Sequence, residues 1–344
     1  MSETDALYIL RFAEEQLRAR TIREIHIDFF GGEPFLCESF YLKVMREFTK
    51  LGSRYGIVPH FQFYTNGTIV PRYGYEIFAE FEHVKFLITL DGLKPVHDVL
   101  RPMKGAQSCY DTIVENLRSI RNAHQQAVIR INYGKKSYSQ IPLLLDELIR
   151  QGLTCFPIEF YPIQNMFNSS AEFEDAVGAV DLPDINEYLW KAAIERNIPI
   201  SIRPVTANCY CSAFTDTMFV IDPDLDVYKC ALLQCEKKYS IGNLKEQTKY
   251  QTDSVFYDWL TYDPSLEKHC KDCVSLPVCA GGCGGSGTFR FGTQHHSNCY
   301  ELSPLMLKRT IEVYVTLFYK DRVDSFIRSY KQVEILERAR YSEP

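Results

Sequence analysis

Twelve cysteines occur in these 344 residues, and nine of them crowd between Cys209 and Cys299. The chain opens MSETDALYILRFAEEQL, which reads as an amphipathic acidic helix and not as a signal peptide. Disulfides are then a poor account of the cysteines, because thiols of a reducing compartment stay reduced. Cys37, Cys109 and Cys155 are scattered singly and are expected to be small buried apolar residues. The clustered nine point to metal. Cys270-x2-Cys273-x5-Cys279-x3-Cys283, followed by Cys299, places four thiolates around one centre and leaves a fifth for a neighbour. Cys209, Cys211 and Cys230, together with Cys283, would complete a second centre, with Cys235 as a substitute ligand or a plain loop thiol. Structural zinc usually shows two short knuckles and four ligands. Seven or more cysteines in one glycine-rich region suit two cuboidal iron–sulfur clusters better, with zinc as the alternative.

Composition narrows the rest. Hydrophobic residues make up 46% and charged residues 24%, with a net charge of −6. These values suit a globular protein and give no electrostatic case for nucleic acid. No run is long and apolar enough for a membrane span, so a cytoplasmic protein is expected. From Thr4 to Tyr161, helix-period stretches (Asp5–Arg20, Ser39–Tyr55, Tyr73–Phe81, Tyr110–Ala123, Ser139–Gln151) alternate with β-rich runs (Ile22–Phe30, His60–Thr65, Val84–Leu90, Ala127–Tyr133, Cys155–Tyr161). That rhythm belongs to βα units of a parallel sheet or barrel. Ser39 and Ser139 are the expected helix caps. Further on, Gln164–Asp184 reads as a loop, Pro183–Arg196 as a helix and Thr217–Cys230 as a β-hairpin turning at Asp222–Asp224. Thr252–Tyr262 reads as a short helix, and Ser303 to Ala339 as helix packing back on the sheet.

FFGGEP (Phe29–Pro34) falls at the end of the first β run, where parallel sheets bind ligands. With YTNGT (Tyr64–Thr68), LDGLKPVHDVLRP (Leu90–Pro102) and the cysteine array, it resembles a radical S-adenosylmethionine enzyme with a SPASM domain. The resemblance covers nearly the whole chain. It implies a partial (β/α)6 barrel lacking its first strand (residues 1–200), a cysteine-rich SPASM domain (201–302) and C-terminal helices (303–344). It also implies S-adenosylmethionine and two auxiliary 4Fe–4S clusters. Gly31, Gly32 and Glu33 would meet the methionine amino group, carboxylate against ammonium. Arg130 is a further candidate for the cofactor's polar end, and Thr65, Asn66 and Asp91 would face the same mouth. One ligand set would be Cys270, Cys273, Cys279 and Cys299; the other would be Cys209, Cys211, Cys230 and Cys283.

Two departures from the family pattern stand out. The Cys-x3-Cys-x2-Cys loop that holds the radical-generating cluster is absent; Cys279-x3-Cys283 begins correctly, but Ser286 stands where the third cysteine would be. Together with an opening helix in place of a strand, this leads us to expect a chain that begins too late and is inactive as given. Leu225 occupies a hairpin turn where glycine is usual. The expected function is hydrogen abstraction from a ribosomally made peptide or protein, with an external electron donor. The alternatives are a non-catalytic peptide-binding or partner subunit and a zinc-stabilised scaffold. The sulfatase-maturing branch is the poorer match, because Ala231 follows Cys230 where that branch carries an acidic residue.

Overall fold

The computed structural model describes residues 1–103, 105, 108–164, 174–201, 211–234, 236–246, 253–296 and 304–318. Five parallel strands, β1 (Glu24–Phe29), β2 (Val58–Thr65), β3 (His83–Thr89), β4 (Gln126–Tyr133) and β5 (Ile158–Pro162), lie side by side in chain order. Helices α1 (Glu3–Ala19), α2 (Glu38–Tyr55), α3 (Lys94–Leu100), α4 (Cys109–Asn122), α5 (Ile141–Arg150) and α6 (Leu182–Glu195) precede, connect or follow them. The α/β alternation expected from the sequence is therefore present. Past α6, Ile200 bridges Ile158 in the parallel sense, so the sheet continues beyond β5 into a segment not expected to be extended.

The strands have two chemically different faces, set by the period of two along each one. One face carries Phe29, Phe61, Phe63, Phe86, Ile88, Ile129, Ile131 and Ile158, and packs against the helices in a single core. Its centre is aromatic: Phe86 is 0% exposed, and its ring centroid lies 4.9 Å from Phe78, 5.6 Å from Phe63 and 5.5 Å from Tyr75. The opposite face carries Asp28, Gln62, Tyr64, Lys85, Arg130, Glu159 and Tyr161. In register, Asp28 pairs with Gln62, Gln62 with Lys85, and Arg130 with Glu159.

Local signals explain most boundaries. Ser2 and Asp5 close a capping box on α1, and Ser108 caps α4 through the Asp111 N–H. α2 ends at Gly56, in the left-handed region at φ +67°. Three expectations need correction. Tyr73–Phe81 forms only a 3-10 turn, Tyr75–Glu80. Ser39 lies inside α2, because the 3-10 turn Pro34–Cys37 runs straight into that helix. Ser139 sits in the 3-10 turn Tyr138–Gln140 ahead of α5, whose start is set by Pro142.

A smaller antiparallel sheet follows: β6 (Val220–Ile221), β7 (Asp226–Tyr228) and β8 (Ser240–Asn243), with β8 unexpected from sequence. α7 (Ser254–Leu260), α8 (Leu276–Cys279), α9 (Gly284–Phe291) and α10 (Pro304–Phe318) complete the described chain. α10 lies on α6, with Met306 and Val313 in the main core and Arg309 paired to Asp184 and Glu187. α1 serves both units: Ala6, Ala13 and Leu17 enter the main core, while Phe12 packs with Val227, Ile241 and Phe256. Among the described residues no helix is long and apolar enough to cross a membrane.

Truncating Phe86 removes the middle of the aromatic cluster. Phe86→Ala should cost about 3–5 kcal/mol, read as a lower urea midpoint at unchanged slope; a loss below about 1 kcal/mol would contradict this packing.

Candidate functional site

The ends of β1 and β2 meet at Glu33. Its Oε1 accepts hydrogen bonds from the Thr65 hydroxyl at 2.8 Å and the Phe35 N–H at 3.2 Å, and its Oε2 accepts the Asn66 N–H at 2.9 Å. A carboxylate has about four acceptor sites. Among the described residues three are filled, and the one left lies on Oε2. Thr65 and Asn66 are also tied locally, by the Gly67 N–H to Thr65 Oγ1 and by Thr68 to Asn66 Oδ1. The carboxylate is therefore held in one orientation before any ligand arrives. Beside it, Gly31 has φ +136°, a conformation that side chains rarely adopt. A Cβ on Gly31 or Gly32 would meet nothing within 4 Å, so open space lies against this backbone.

Asp91, at the end of β3, is committed elsewhere. It accepts from Arg101 Nε at 2.5 Å and from the Asn132 N–H and Nδ2 at 3.0 and 2.8 Å, while its own N–H donates to His97 Nδ1. It joins β3, β4 and the segment after α3. Arg130 projects from the polar face of β4, its guanidinium 3.6 Å from the centre of the Tyr161 ring. Its Nε is buried and has no hydrogen-bond partner among the described residues. Buried donors are almost always satisfied, so this atom marks a place for an acceptor. Nearby, Asp28 is accessible yet ringed by protein atoms, and burial raises its carboxyl above the usual range. Tyr64 is also raised, first by burial and then by Asp28 and Glu159, with Arg130 opposing. These residues fit a small zwitterionic cofactor: a fixed carboxylate, bare glycine backbone and an unsatisfied arginine donor.

The second region is the cysteine array. Cys230 lies two residues past the end of β7, and Cys283 is the N-cap of α9. Burial pushes the Cys230 thiol up to about 12, and the neighbouring Cys283 and Cys211 push the same way, against N–H groups of Leu232 and Leu233 aimed at the sulfur. Three cysteines of one expected set thus lie close together. A Cβ on Gly285 would sit 2.7 Å from the Cys230 sulfur, so this approach demands glycine. Ala213, Leu233 and Trp259 form an apolar wall beside it. Backbone N–H groups on a buried sulfur within an apolar wall are the surroundings of a metal-bound thiolate. Cys270, Cys273 and Cys279 follow one another through turns: the Cys273 N–H donates to the Cys270 carbonyl, the Leu276 N–H to that of Cys273, and the Cys279 N–H to that of Ser275. Cys209, Cys235 and Cys299 lie outside the described residues. No disulfide joins any two described cysteines. Of the scattered three, only Cys109 is buried; Cys37 and Cys155 are exposed.

Sequence reasoning missed Lys229. It is 1% exposed, donates from Nζ to the carbonyls of Thr215 and Met218, each at 2.6 Å, and lies over Phe219. It clamps the 215–218 strand entry onto the hairpin. No local pattern announces it, since an isolated lysine beside a cysteine is ordinary.

Comparison with known proteins places this geometry. No family model matches the chain. A cysteine-type anaerobic sulfatase-maturating enzyme of Clostridium novyi (strain NT) is 22% identical over 274 residues, 74% of this chain and 72% of that protein. The structure of native anSMEcpe with bound AdoMet superposes with a TM-score of 0.68 at 16% identity, covering 90% of this chain and 87% of that one. This is the fold of the radical S-adenosylmethionine proteins with a SPASM domain. Streptococcus suis SuiB bound to its precursor peptide SuiA shares it, with a TM-score of 0.60 at 16% identity over 88% of this chain and 69% of that one. The radical S-adenosylmethionine/SPASM resemblance read from the motifs is therefore matched in three dimensions.

In metal-free protein at pH 8, a thiol with a pKa of about 12 is ionised to roughly one part in ten thousand. Cys230 should therefore resist iodoacetamide while the exposed Cys37 and Cys155 react. Peptide mass spectrometry that finds Cys230 modified as fast as those two would contradict its burial.

Proposed function

We propose that this chain is a radical S-adenosylmethionine/SPASM protein of the kind that modifies a ribosomally made peptide or protein by hydrogen abstraction, and that residues 1–344, without a Cys-x3-Cys-x2-Cys loop, bind the cofactor but do not cleave it. The observation that carries the reading is Glu33, oriented by Thr65, Asn66 and Phe35 with one acceptor site left, beside the bare backbone of Gly31 and Gly32. Glu33 would hold the cofactor's ammonium by a charge-assisted bond. Arg130 would supply its unsatisfied Nε to a polar group at the other side of the cofactor. Thr65 and Asn66 act through Glu33, and Asp91 through Arg101 and Asn132. When bound, S-adenosylmethionine would supply hydrogen-abstraction chemistry on one-electron reduction by a 4Fe–4S cluster, and these residues would bind and orient it.

The sequential strand order with helices on one face supports reading the sheet as the wall of a partial (β/α)6 barrel. Cys209, Cys211, Cys230 and Cys283 would hold one auxiliary 4Fe–4S cluster; Cys270, Cys273, Cys279 and Cys299 would hold the other. Ala231 supplies no acidic group next to Cys230. Any base for a substrate proton must come from elsewhere, which favours a peptide maturase over a sulfatase maturase. An external electron donor in a cytoplasm completes the reading.

Two measurements test it. Anaerobically purified protein should carry about eight iron atoms per chain with matching sulfide; colourless protein holding zinc and no iron would end the cluster assignment. Calorimetry should show S-adenosylmethionine binding that weakens at least tenfold in Glu33→Ala, in line with loss of a charge-assisted bond, and less in Thr65→Val. For residues 1–344 alone, which contain no Cys-x3-Cys-x2-Cys, that binding should proceed without formation of 5′-deoxyadenosine. Equal affinity in wild type and Glu33→Ala would overturn the cofactor site.

A further inference from the structure

At the opposite end of the sheet, three histidines stand in a row across three strands. His26 on β1 is in register with His60 on β2, and His60 with His83 on β3. Their rings stack almost parallel, with centroids 4.7 Å apart at 15° and 4.3 Å apart at 13°. Glu24, two residues before His26 and on the same face, places Oε2 3.6 Å from His26 Nε2. The ligand atoms of Glu24, His26 and His60 all lie within 4.8 Å of one another.

We propose that Glu24, His26 and His60 form a binding site for a divalent transition metal ion of the zinc class, with His83 stacked as the outer ring of the ladder. Two imidazoles and one carboxylate are a recurrent zinc donor set, which leaves a fourth position for water. Bonds of 2.0–2.1 Å in a tetrahedron put ligand atoms about 3.3 Å apart, and a ring nitrogen binds metal in its ring plane, so His26 and His60 would tilt out of their parallel stack to close on the ion from within 4.8 Å. Imidazole donors select zinc, nickel or copper over magnesium and calcium.

The site is separate from the cofactor residues. Five residue-to-residue steps take the chain from His26 to Gly31, roughly 16 Å at about 3.3 Å each when extended. Its effect would be mechanical. Among the described residues β1 pairs only with β2, and a metal shared by His26 and His60 staples this outer strand to its neighbour near its start. The proposal does not depend on the cofactor reading.

The test uses the full chain after anaerobic cluster loading, so that cysteines are occupied, with Zn2+ titrated against a chromogenic chelator. Wild type should bind one more equivalent of Zn2+ than the His26→Gln/His60→Gln variant. Glu24→Gln should weaken that equivalent at least tenfold. Zn2+ should also raise the thermal midpoint of wild type and leave that of the double variant unmoved. Glu24 and His26 side chains are 64% and 66% exposed, so Glu24→Gln and His26→Gln singly keep the fold and give the same comparison. Equal stoichiometry and affinity in wild type and variants would overturn the proposal. Zinc held by cysteines would persist in all of them, so failure of the cluster reading stays distinguishable from failure of this one.

Discussion

The two-faced parallel sheet is the constraint from which the other features follow. Helices cover one face with an apolar, largely aromatic layer. The other face is largely polar, with Leu87 and Val128, in register on β3 and β4, as its buried apolar members. Asp28, Gln62, Tyr64, Lys85, Arg130 and Glu159 line up there by register alone. A ligand resting on this face meets charge and hydrogen-bonding groups along its length, with Glu33 and the glycines at the strand ends.

Much of this was legible in the sequence because the strands are dense in β-branched and aromatic residues, each broken by a helical stretch. What was not legible depends on contacts far apart along the chain. FFGGEP can be picked out as a glycine turn at a strand end, but no pattern shows that Thr65 and Asn66, 32 and 33 positions later, fix the carboxylate of Glu33. The histidine row is hidden for the same reason: single histidines on three strands become a cluster only once register is known. Cap readings failed where a 3-10 turn precedes the helix, since Ser39 and Ser139 then no longer occupy an extended position before the first turn. Cys37 and Cys155 show that an isolated cysteine says little about burial.

The hairpin that delivers Cys230 illustrates how a departure from a family pattern can be accommodated. Leu225 takes the left-handed conformation expected of the usual glycine, at φ +69°. That conformation costs a side-chain-bearing residue roughly 1–2 kcal/mol. Leu225 is 0% exposed, and burying its side chain returns about 1.5–3 kcal/mol. The turn is further held by Asp222, which accepts from the Asp224 and Asp226 N–H groups and the Tyr228 hydroxyl. Lys229 then anchors the hairpin base to the Thr215 and Met218 carbonyls. The position of Cys230 is thus fixed from both sides, without glycine at the turn.

α1 gives one side of itself to the large core and Phe12 to the small one. Arg20, just beyond its end, reaches Asp216. The parallel-sheet unit and the cysteine-bearing unit are therefore not two beads on a string. A protease nick between them would not release two self-sufficient pieces, because whichever half lost the first helix would expose an apolar seam. The opening helix works as a shared rivet between the two cores.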